Sequence, residues 1–136
     1  RDTDRSRGLG DVYKRQQLVT VIKERYPQIE VMAVGTNSLA TGAMLRAGAD
    51  QAATGENSVV VASARADVIM GPVGIVIADS MLGEITPKMS RAVGQSRAKR
   101  ILIPVNLCDN IIVGGTDASM SQNVQNAADA LGTLIS

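Results

Sequence analysis

The chain has 136 residues, of which 45% are hydrophobic, 14 are basic and 13 are acidic, a composition typical of a globular protein rather than a disordered one. It contains no histidine and one cysteine. This excludes histidine-dependent catalytic triads, histidine-ligated metal sites, an internal disulfide and a cysteine-rich zinc site. No apolar run has the length of a membrane span, so we expect a cytoplasmic protein with no membrane partner.

The first sixteen residues differ in composition from the rest, with five basic and three acidic side chains and almost no apolar periodicity. One interpretation is a basic arm that contacts nucleic acid. However, Asp11–Gln16 can be encoded by the DNA end that a sequencing-library transposase recognises, and Ser6–Gly10 by the adapter that precedes it. We therefore expect residues 1–16 to be a non-native, adapter-derived segment, and residues 17–136 to form a single domain.

The charge of the remaining residues is close to neutral. Without residues 1–16, nine basic and ten acidic side chains are left, so no basic surface is available to bind nucleic acid. One local group of positive charges, the basic cluster (Arg97, Lys99 and Arg100), is expected at the solvated end of a helix.

Aliphatic strands alternate with amphipathic helices along residues 17–136. Residues 56–64 are ambiguous, because Val59–Val61 favours a strand locally whereas the spacing between the flanking strands favours a helix. The first half is predicted to contain a helix over 17–26, a strand over 29–34, a helix over 38–47 that Ser38 caps and Gly48 closes, and a connector over 50–55 with room for a small strand. After the ambiguous residues 56–64 come a strand over 67–70 that Gly71-Pro72 stops and an apolar segment of undefined type over 73–82. The last elements are a helix that begins at Thr86-Pro87, a strand over 101–105, a short strand over 111–113 and a helix over 119–134.

The helices show periodic apolar residues that predict their buried faces. These are Leu18, Ile22 and Tyr26 in the first helix; Leu39, Ala43, Met44 and Ala47 in the second; Met89, Ala92 and Val93 after Pro87; and Val124, Ala127, Ala128 and Leu131 in the last.

This alternation is typical of a parallel sheet covered by helices on both faces. We therefore predict an α/β, Rossmann-like, doubly wound parallel sheet in three layers. Such a fold opens with a strand, a tight turn and a helix, whereas the sequence after residue 16 opens inside a helix. The first strand and its glycine-rich loop are expected to be lacking, which predicts a gap beside the strand over 29–34 or residues 9–13 in its place.

Several stretches in order resemble a small bacterial family known as domain of unknown function 3842, over about residues 17–113. They are Val34–Thr41, Ala47–Asp50, Ala53–Asn57, Gly71–Ile75, Ile77–Ser80, Leu82–Pro87 and Ile103–Asn106. The resemblance implies a Rossmann-like fold and, in typical members, a glycine-rich turn after the first strand that is suited to phosphate. That turn is absent here, and the resemblance implies no particular reaction.

The first candidate binding segment follows the strand over 29–34, since ligands of open α/β sheets bind beyond the carboxyl ends of strands. It consists of Gly35, Thr36, Asn37 and Ser38, whose small polar side chains and backbone N–H groups suit a phosphate or a carboxylate. The alternative is that Ser38 is merely a helix cap and Gly35 a strand end. The segment has no acidic residue to bind the ribose hydroxyls of NAD, which favours another phosphate-bearing ligand.

A second candidate segment contains Gly71, Pro72 and Gly74, where two glycines would permit close approach of the backbone to a ligand. The alternative is a tight turn. Asn106 follows a further strand, and its amide could bind a base or a sugar. We predict that these residues and the first segment line one crevice for a nucleotide, a dinucleotide or another small phosphorylated molecule.

Asp79 and Glu84 are the carboxylates best suited to acid–base catalysis, although nothing in their spacing makes them converge. Cys108 has no histidine partner, so it is more simply a packed residue than a nucleophile. No metal site is predicted.

Three functions remain open from the sequence. The first is a domain that binds a nucleotide or another phosphorylated small molecule. The alternative is a non-catalytic subunit that self-associates, since six methionines and many alanines could form flat helix faces. The third is an enzyme that uses Asp79 or Glu84 as a general base.

Overall fold

The structure is a computed structural model, and it describes residues 15–104, 111–113 and 120–135. Asn106, Cys108 and residues 9–13 therefore lie outside the described residues. The chain divides into two compact units, Arg1–Gly55 and Glu56–Ser136. In chain order the elements are α1 (residues 15–25), β1 (Met32–Gly35), α2 (Ser38–Arg46), β2 (Gln51–Thr54), α3 (Glu56–Arg65), β3 (Val68–Pro72), a 3₁₀ helix (Val73–Val76), α4 (Pro87–Gln95), β4 (Lys99–Ile103) and α5 (Met120–Ile135).

In the first unit, β1 and β2 form a parallel pair whose register runs from Met32 opposite Gln51 to Gly35 opposite Thr54. The predicted connector over residues 50–55 thus contains a strand. The strand predicted over 29–34 begins later, at Met32. Residues before Met32 instead form a turn after α1, in which the Ile29 N–H donates to the Tyr26 carbonyl at 3.0 Å.

The core of the first unit lies between the two strands and the helices that cover them. Its centre is Val19 from α1, Ala33 from β1, Met44 from α2 and Ala49. The predicted stripe of α1 was wrong in part, because Val19 is buried with Ile22, whereas Leu18 and Tyr26 are half-buried.

The buried face of α2 also differs from the prediction. Ala40, Ala43 and Met44 are buried at i, i+3 and i+4 spacing, as one face of a helix requires. Leu39 lies outside that face and is 57% exposed.

The cap of α2 is Asn37 rather than the predicted Ser38, which is the first helical residue. The Asn37 backbone is extended, with φ −145° and ψ 163°, so its side chain can turn back and accept a hydrogen bond from the Ala40 N–H at 2.9 Å. Gly48 follows the helix with a φ of +117°, the left-handed conformation expected of a glycine just after a helix.

In the second unit, β3 and β4 form a parallel pair from Val68 opposite Lys99 to Pro72 opposite Ile103. Gly71 and Pro72 are the last residues of β3, so the prediction that they stop the strand before them was wrong. Proline has no N–H to donate, and a strand end tolerates it.

The ambiguous segment is a helix, α3, despite its three consecutive valines. It lies alongside α4 and is joined to that helix near both ends. Near the N-termini the Thr86 hydroxyl donates to the Glu56 carboxylate at 2.6 Å, and near the C-termini the Ser96 hydroxyl donates to the Ser63 carbonyl at 2.6 Å. These tertiary contacts outweigh the local preference of Val59–Val61 for a strand.

The start of α4 was predicted correctly, with Thr86 as its cap and Pro87 in its first turn. The predicted inward residues Met89 and Val93 are buried, and Ala92 is half-buried. In α5, all four predicted inward residues (Val124, Ala127, Ala128 and Leu131) are buried.

Residues 111–113 are not a strand, contrary to prediction, and Ile111 and Val113 are 92% and 94% exposed. Their aliphatic side chains favour strands locally, but no described strand pairs with them. A local preference without a pairing partner does not make a strand.

The described residues thus form a mixed α/β structure with two separate two-stranded parallel sheets. No described strand pairs with the second edge of β1 or of β3. The three-layer Rossmann-like arrangement and the missing strand stay predictions. None of the helices in the described part of the chain combines the length and hydrophobicity that crossing a membrane requires.

Candidate functional site

The segment Gly35–Ser38 joins the carboxyl end of β1 to the N-terminus of α2. Two backbone hydrogen bonds hold the peptide groups of this junction in place. The Gly55 N–H donates to the Gly35 carbonyl at 3.0 Å, and the Thr41 N–H donates to the Asn37 carbonyl at 3.1 Å. The carboxyl ends of β1 and β2 and the first turn of α2 therefore meet at one edge of the first unit.

Gly35 is held close to α2. A Cβ atom at this position would lie 2.5 Å from the Thr41 hydroxyl oxygen and 3.0 Å from the Thr41 backbone nitrogen. Any side chain larger than hydrogen would therefore separate β1 from the helix. Gly35 therefore has a structural role in packing, and it also ends the strand, as the sequence predicted.

Hydroxyl groups are concentrated at the same edge. The Thr41 and Thr54 hydroxyl oxygens lie 2.8 Å apart, and the Thr41 hydroxyl also donates to the Asn37 carbonyl at 3.0 Å. The Thr36 hydroxyl oxygen is buried and has no hydrogen-bond partner among the described residues. A buried hydroxyl without a partner costs free energy, so a polar group bound beside Thr36 would stabilise the fold.

The N-terminus of α2 has no acidic residue in its first turn. The first N–H groups of a helix have no acceptor within the helix. In α2, the Ala40 N–H donates to the Asn37 side chain. The Ser38 and Leu39 N–H groups have no acceptor in the described part of the chain. The helix dipole favours an anion at this position.

The second predicted segment is filled by the protein's own side chains. Gly71 and Gly74 are buried, and Cβ atoms there would lie 3.1 Å from Ile75 Cδ1 and 3.1 Å from Ser80 Oγ. Pro72 precedes the 3₁₀ helix with an ordinary φ of −65°. Internal packing therefore accounts for both glycines.

Asp79 and Glu84 lie in one closed turn after the 3₁₀ helix. The Asp79 N–H donates to the Ile85 carbonyl at 2.7 Å, which brings the two ends of the turn together. Both side chains are exposed, and neither forms a hydrogen bond or an ion pair with a described residue. No group of three or more acidic or cysteine side chains in the described ranges is placed to hold a metal ion.

The structure therefore brings Gly35–Ser38 together with Thr41, which sequence reasoning missed, and with Thr54. In the sequence, Thr54 opens a glycine-containing loop over 54–57 that is similar to the candidate segments, with a helix cap as the simpler interpretation. Gly71–Gly74, Asp79 and Glu84 belong to the second unit, and Asn106 lies outside the described residues. A single crevice that includes all of them stays a prediction.

A second group missed from the sequence joins α1 to the residues before β1 and β2. Asp50 accepts hydrogen bonds from the Val31 N–H at 2.7 Å and from the Lys23 ammonium at 3.0 Å. The Val31 bond and then the Lys23 bond hold the pKa of Asp50 below its usual value. Asp50 and Lys23 are 27 residues apart, so no local motif signals this pair.

The chain matches the domain of unknown function 3842 over residues 9–136. It belongs to this family. The match confirms the resemblance and extends it through α5 and upstream of residue 17. No curated protein and no solved structure matches the chain.

Proposed function

We propose that this member of the domain of unknown function 3842 family binds a nucleotide or another phosphorylated small molecule, with a phosphoryl group at the N-terminus of α2. The observation that carries the proposal is this helix start, which stands at the carboxyl end of a parallel strand and offers N–H groups without acceptors among the described residues. This is the position where α/β sheets bind phosphorylated ligands.

The side chains around the helix start favour the binding of an anion over the binding of a ribose diol. The first turn of α2 holds no carboxylate, and a carboxylate is the group that binds ribose hydroxyls in NAD-binding folds. The Thr36 hydroxyl, buried without a described partner, is a donor that a phosphoryl oxygen would satisfy.

The proposed partner is a small molecule in the cytoplasm, and nucleic acid is not the proposed partner. Outside residues 1–16 the charge is close to neutral, so the chain lacks the excess of lysine and arginine that binding to a nucleic-acid backbone needs. Gly71, Pro72, Gly74 and Asn106, the other binding residues that the sequence predicts, are not needed for this proposal.

The experiment is thermal unfolding of the purified chain with ATP, AMP, NADP or inorganic phosphate added. A ligand at 100 times its dissociation constant stabilises a protein by about 2.7 kcal/mol, which is a clear rise in Tm. The variant Ser38→Asp places a negative charge in the first turn of α2. We expect it to keep or raise the Tm of the free chain, since the charge favours the helix dipole, and to abolish the ligand-induced rise.

The matched control is Ser121→Asp, which places the same charge in the first turn of α5, in the second unit. It should leave the ligand-induced rise unchanged. No rise in Tm with any of the four compounds, or a rise that Ser38→Asp leaves intact, would contradict the proposal.

The second candidate function is a non-catalytic subunit that self-associates. It is favoured by exposed apolar side chains in the described residues, including Leu82 at 63% and Val61 at 41% exposure. A stable oligomer in the absence of ligand, measured by sedimentation, would support this candidate.

A further inference from the structure

The turn that contains Asp79 and Glu84 has an unusual backbone. Asp79, Met81 and Leu82 all have a left-handed φ, between +57° and +62°. The Gly83 N–H donates to the Ser80 carbonyl at 3.2 Å, so Met81 and Leu82 occupy the two central positions of a β-turn. Positive φ at both central positions is the geometry of a type I′ turn, in which asparagine and glycine are strongly preferred.

Two large apolar residues at these positions cost conformational energy that asparagine or glycine would avoid. The turn is nevertheless well fixed by the Asp79–Ile85 bond and by a bond from the Ser80 hydroxyl to the Gly74 carbonyl. The backbone therefore presents Leu82 to solvent in the same turn as the exposed carboxylates of Asp79 and Glu84. We name the residues Asp79–Glu84 the acidic turn.

The basic cluster lies at the other end of α4. The sequence predicted this cluster at a helix end, whereas Lys99 and Arg100 are the first residues of β4. The Arg100 guanidinium nevertheless donates to the Ser96 carbonyl at 2.8 Å and to the Ala98 carbonyl at 3.3 Å, which holds it near the C-terminus of α4. Arg97 and Lys99 are exposed, and their side chains make no ion pair with any described residue.

The two groups have opposite charges and are held apart within one copy of the chain. The acidic turn precedes Thr86 at the start of α4, and the basic cluster begins two residues after its last residue, Gln95. A helix of nine residues is about 13 Å long. Neither group makes an ion pair with a described residue of its own copy, so both are available to a second copy.

We propose that the acidic turn binds the basic cluster of a second copy of this chain. A two-fold arrangement makes the contact twice, since each copy supplies one turn and one cluster, and closes the assembly as a dimer. Asp79 and Glu84 then face Arg97 and Lys99 of the other copy, and Leu82 is covered between them. The proposal rests on the second candidate function, self-association, and is independent of the proposed ligand.

The experiment is sedimentation of the full chain over a range of concentrations, in 0.15 M and 1 M salt. We expect a dimer whose dissociation constant rises about tenfold or more in high salt, because exposed ion pairs are screened. The double variant Asp79→Lys/Glu84→Lys should weaken the dimer by a similar factor or more, and so should Arg97→Glu/Lys99→Glu. Arg100 is left unchanged because it holds the end of α4.

Mixing the two double variants provides the decisive test. In the mixture, the turn that is basic in one variant faces the cluster that is acidic in the other. The second contact joins the unchanged acidic turn to the unchanged basic cluster. The mixture should therefore form a dimer that neither variant forms alone. The control Glu24→Lys/Glu30→Lys reverses two exposed carboxylates in the first unit and should leave the dimer intact. Circular dichroism confirms that each variant is folded.

Three results would overturn the proposal. A wild-type chain that stays monomeric at all concentrations would overturn the contact together with self-association. An oligomer that neither salt nor charge reversal affects would overturn the contact while leaving self-association standing. Two variants that are each monomeric and stay monomeric when mixed would show that the reversed groups do not face one another.

Discussion

The Lys23 ammonium lies 3.0 Å from the Asp50 carboxylate and also donates to the Ile29 carbonyl at 2.8 Å. A single side chain thus joins α1, the turn that follows it and the residue that precedes β2. The Val31 N–H donates to the same carboxylate oxygen at 2.7 Å. These contacts fix the entry of the chain into both strands of the first unit.

Asp50→Asn is expected to lower the stability of the chain at neutral pH. The bonds from Val31 and Lys23 hold the pKa of Asp50 below its usual value, so the ionised carboxylate stabilises the folded state above its unfolded-state pKa of about 3.9. This contribution is lost as the pH falls through the lower, folded-state pKa. Urea unfolding of the two proteins should therefore show a difference at pH 7 that closes in acid.

The control for this effect is Asp67→Asn. The Asp67 side chain is exposed and makes no described hydrogen bond or ion pair. A pH-independent difference between the wild-type chain and Asp50→Asn, or an equal effect of Asp67→Asn, would contradict the prediction.

Gly35→Ala is expected to destabilise the chain by about 1–3 kcal/mol, the usual cost of overpacking. The added methyl group would lie 2.5 Å from the Thr41 hydroxyl oxygen and 3.0 Å from the Thr41 nitrogen, and backbone atoms cannot easily move away. The free energy of unfolding in urea measures the loss.

Gly94→Ala is the matched substitution, since Gly94 lies in the last turn of α4 and, beyond its chain neighbours and its own helix backbone, no atom lies within 4 Å of the added methyl group. It should stabilise the chain by up to about 0.5 kcal/mol, because alanine has the higher helix propensity. Equal effects of the two substitutions would show that the close approach at Gly35 is absent.

Leu82→Asn is expected to raise stability by about 0.5–1 kcal/mol, because asparagine tolerates the left-handed conformation that costs leucine energy. Leu82 has a φ of +59° and is 63% exposed, so little buried surface is lost. Thermal unfolding at low protein concentration measures the effect on the monomer.

Leu45→Asn makes the same chemical change at a leucine that is 51% exposed in the right-handed helix α2. It should lower stability by about 0.5 kcal/mol, since asparagine has the lower helix propensity. Destabilisation by both substitutions would mean that the turn is not strained.

Thr86→Val is expected to destabilise the chain by about 1–2 kcal/mol, because it removes the cap of α4. The Thr86 hydroxyl accepts from the Met89 N–H at 3.2 Å and donates to Glu56 at 2.6 Å, so α3 loses a partner as well. Thr86→Ser retains the hydroxyl and should recover most of the loss.

Thr133→Val is the control, because the Thr133 hydroxyl is exposed and bonds within the last turn of α5. Its effect should stay within about 0.5 kcal/mol. A loss at Thr86→Val that is no larger would show that the cap does not hold α3 and α4 together.

Much of this fold was determined by local sequence. The cap and proline at Thr86-Pro87, the glycine after α2 and the four buried residues of α5 follow from hydrogen-bonding groups and helical periodicity that act within a few residues. The polar segment Gly35–Ser38 was also found this way, because it stands between a strand and a helix that the pattern predicts.

Other features were decided by the tertiary structure. The valines of α3 favour a strand locally, but bonds to α4 through Glu56 and Ser63 make the segment a helix. Residues 111–113 have the same local preference and no described strand beside them, so they are not a strand. Strand formation depends on a partner distant in sequence, which local patterns do not contain.

The candidate site divides in the same way. The sequence by itself placed small polar groups after β1, whereas the meeting of Thr41 with Thr54, the burial of the Thr36 hydroxyl and the Lys23–Asp50 bond required the folded chain. Helix caps and apolar stripes involve neighbours along the chain, and the sequence therefore determines them. Hydroxyl pairs, ion pairs and strand pairing join residues a dozen or more positions apart, and only the tertiary structure brings those residues together.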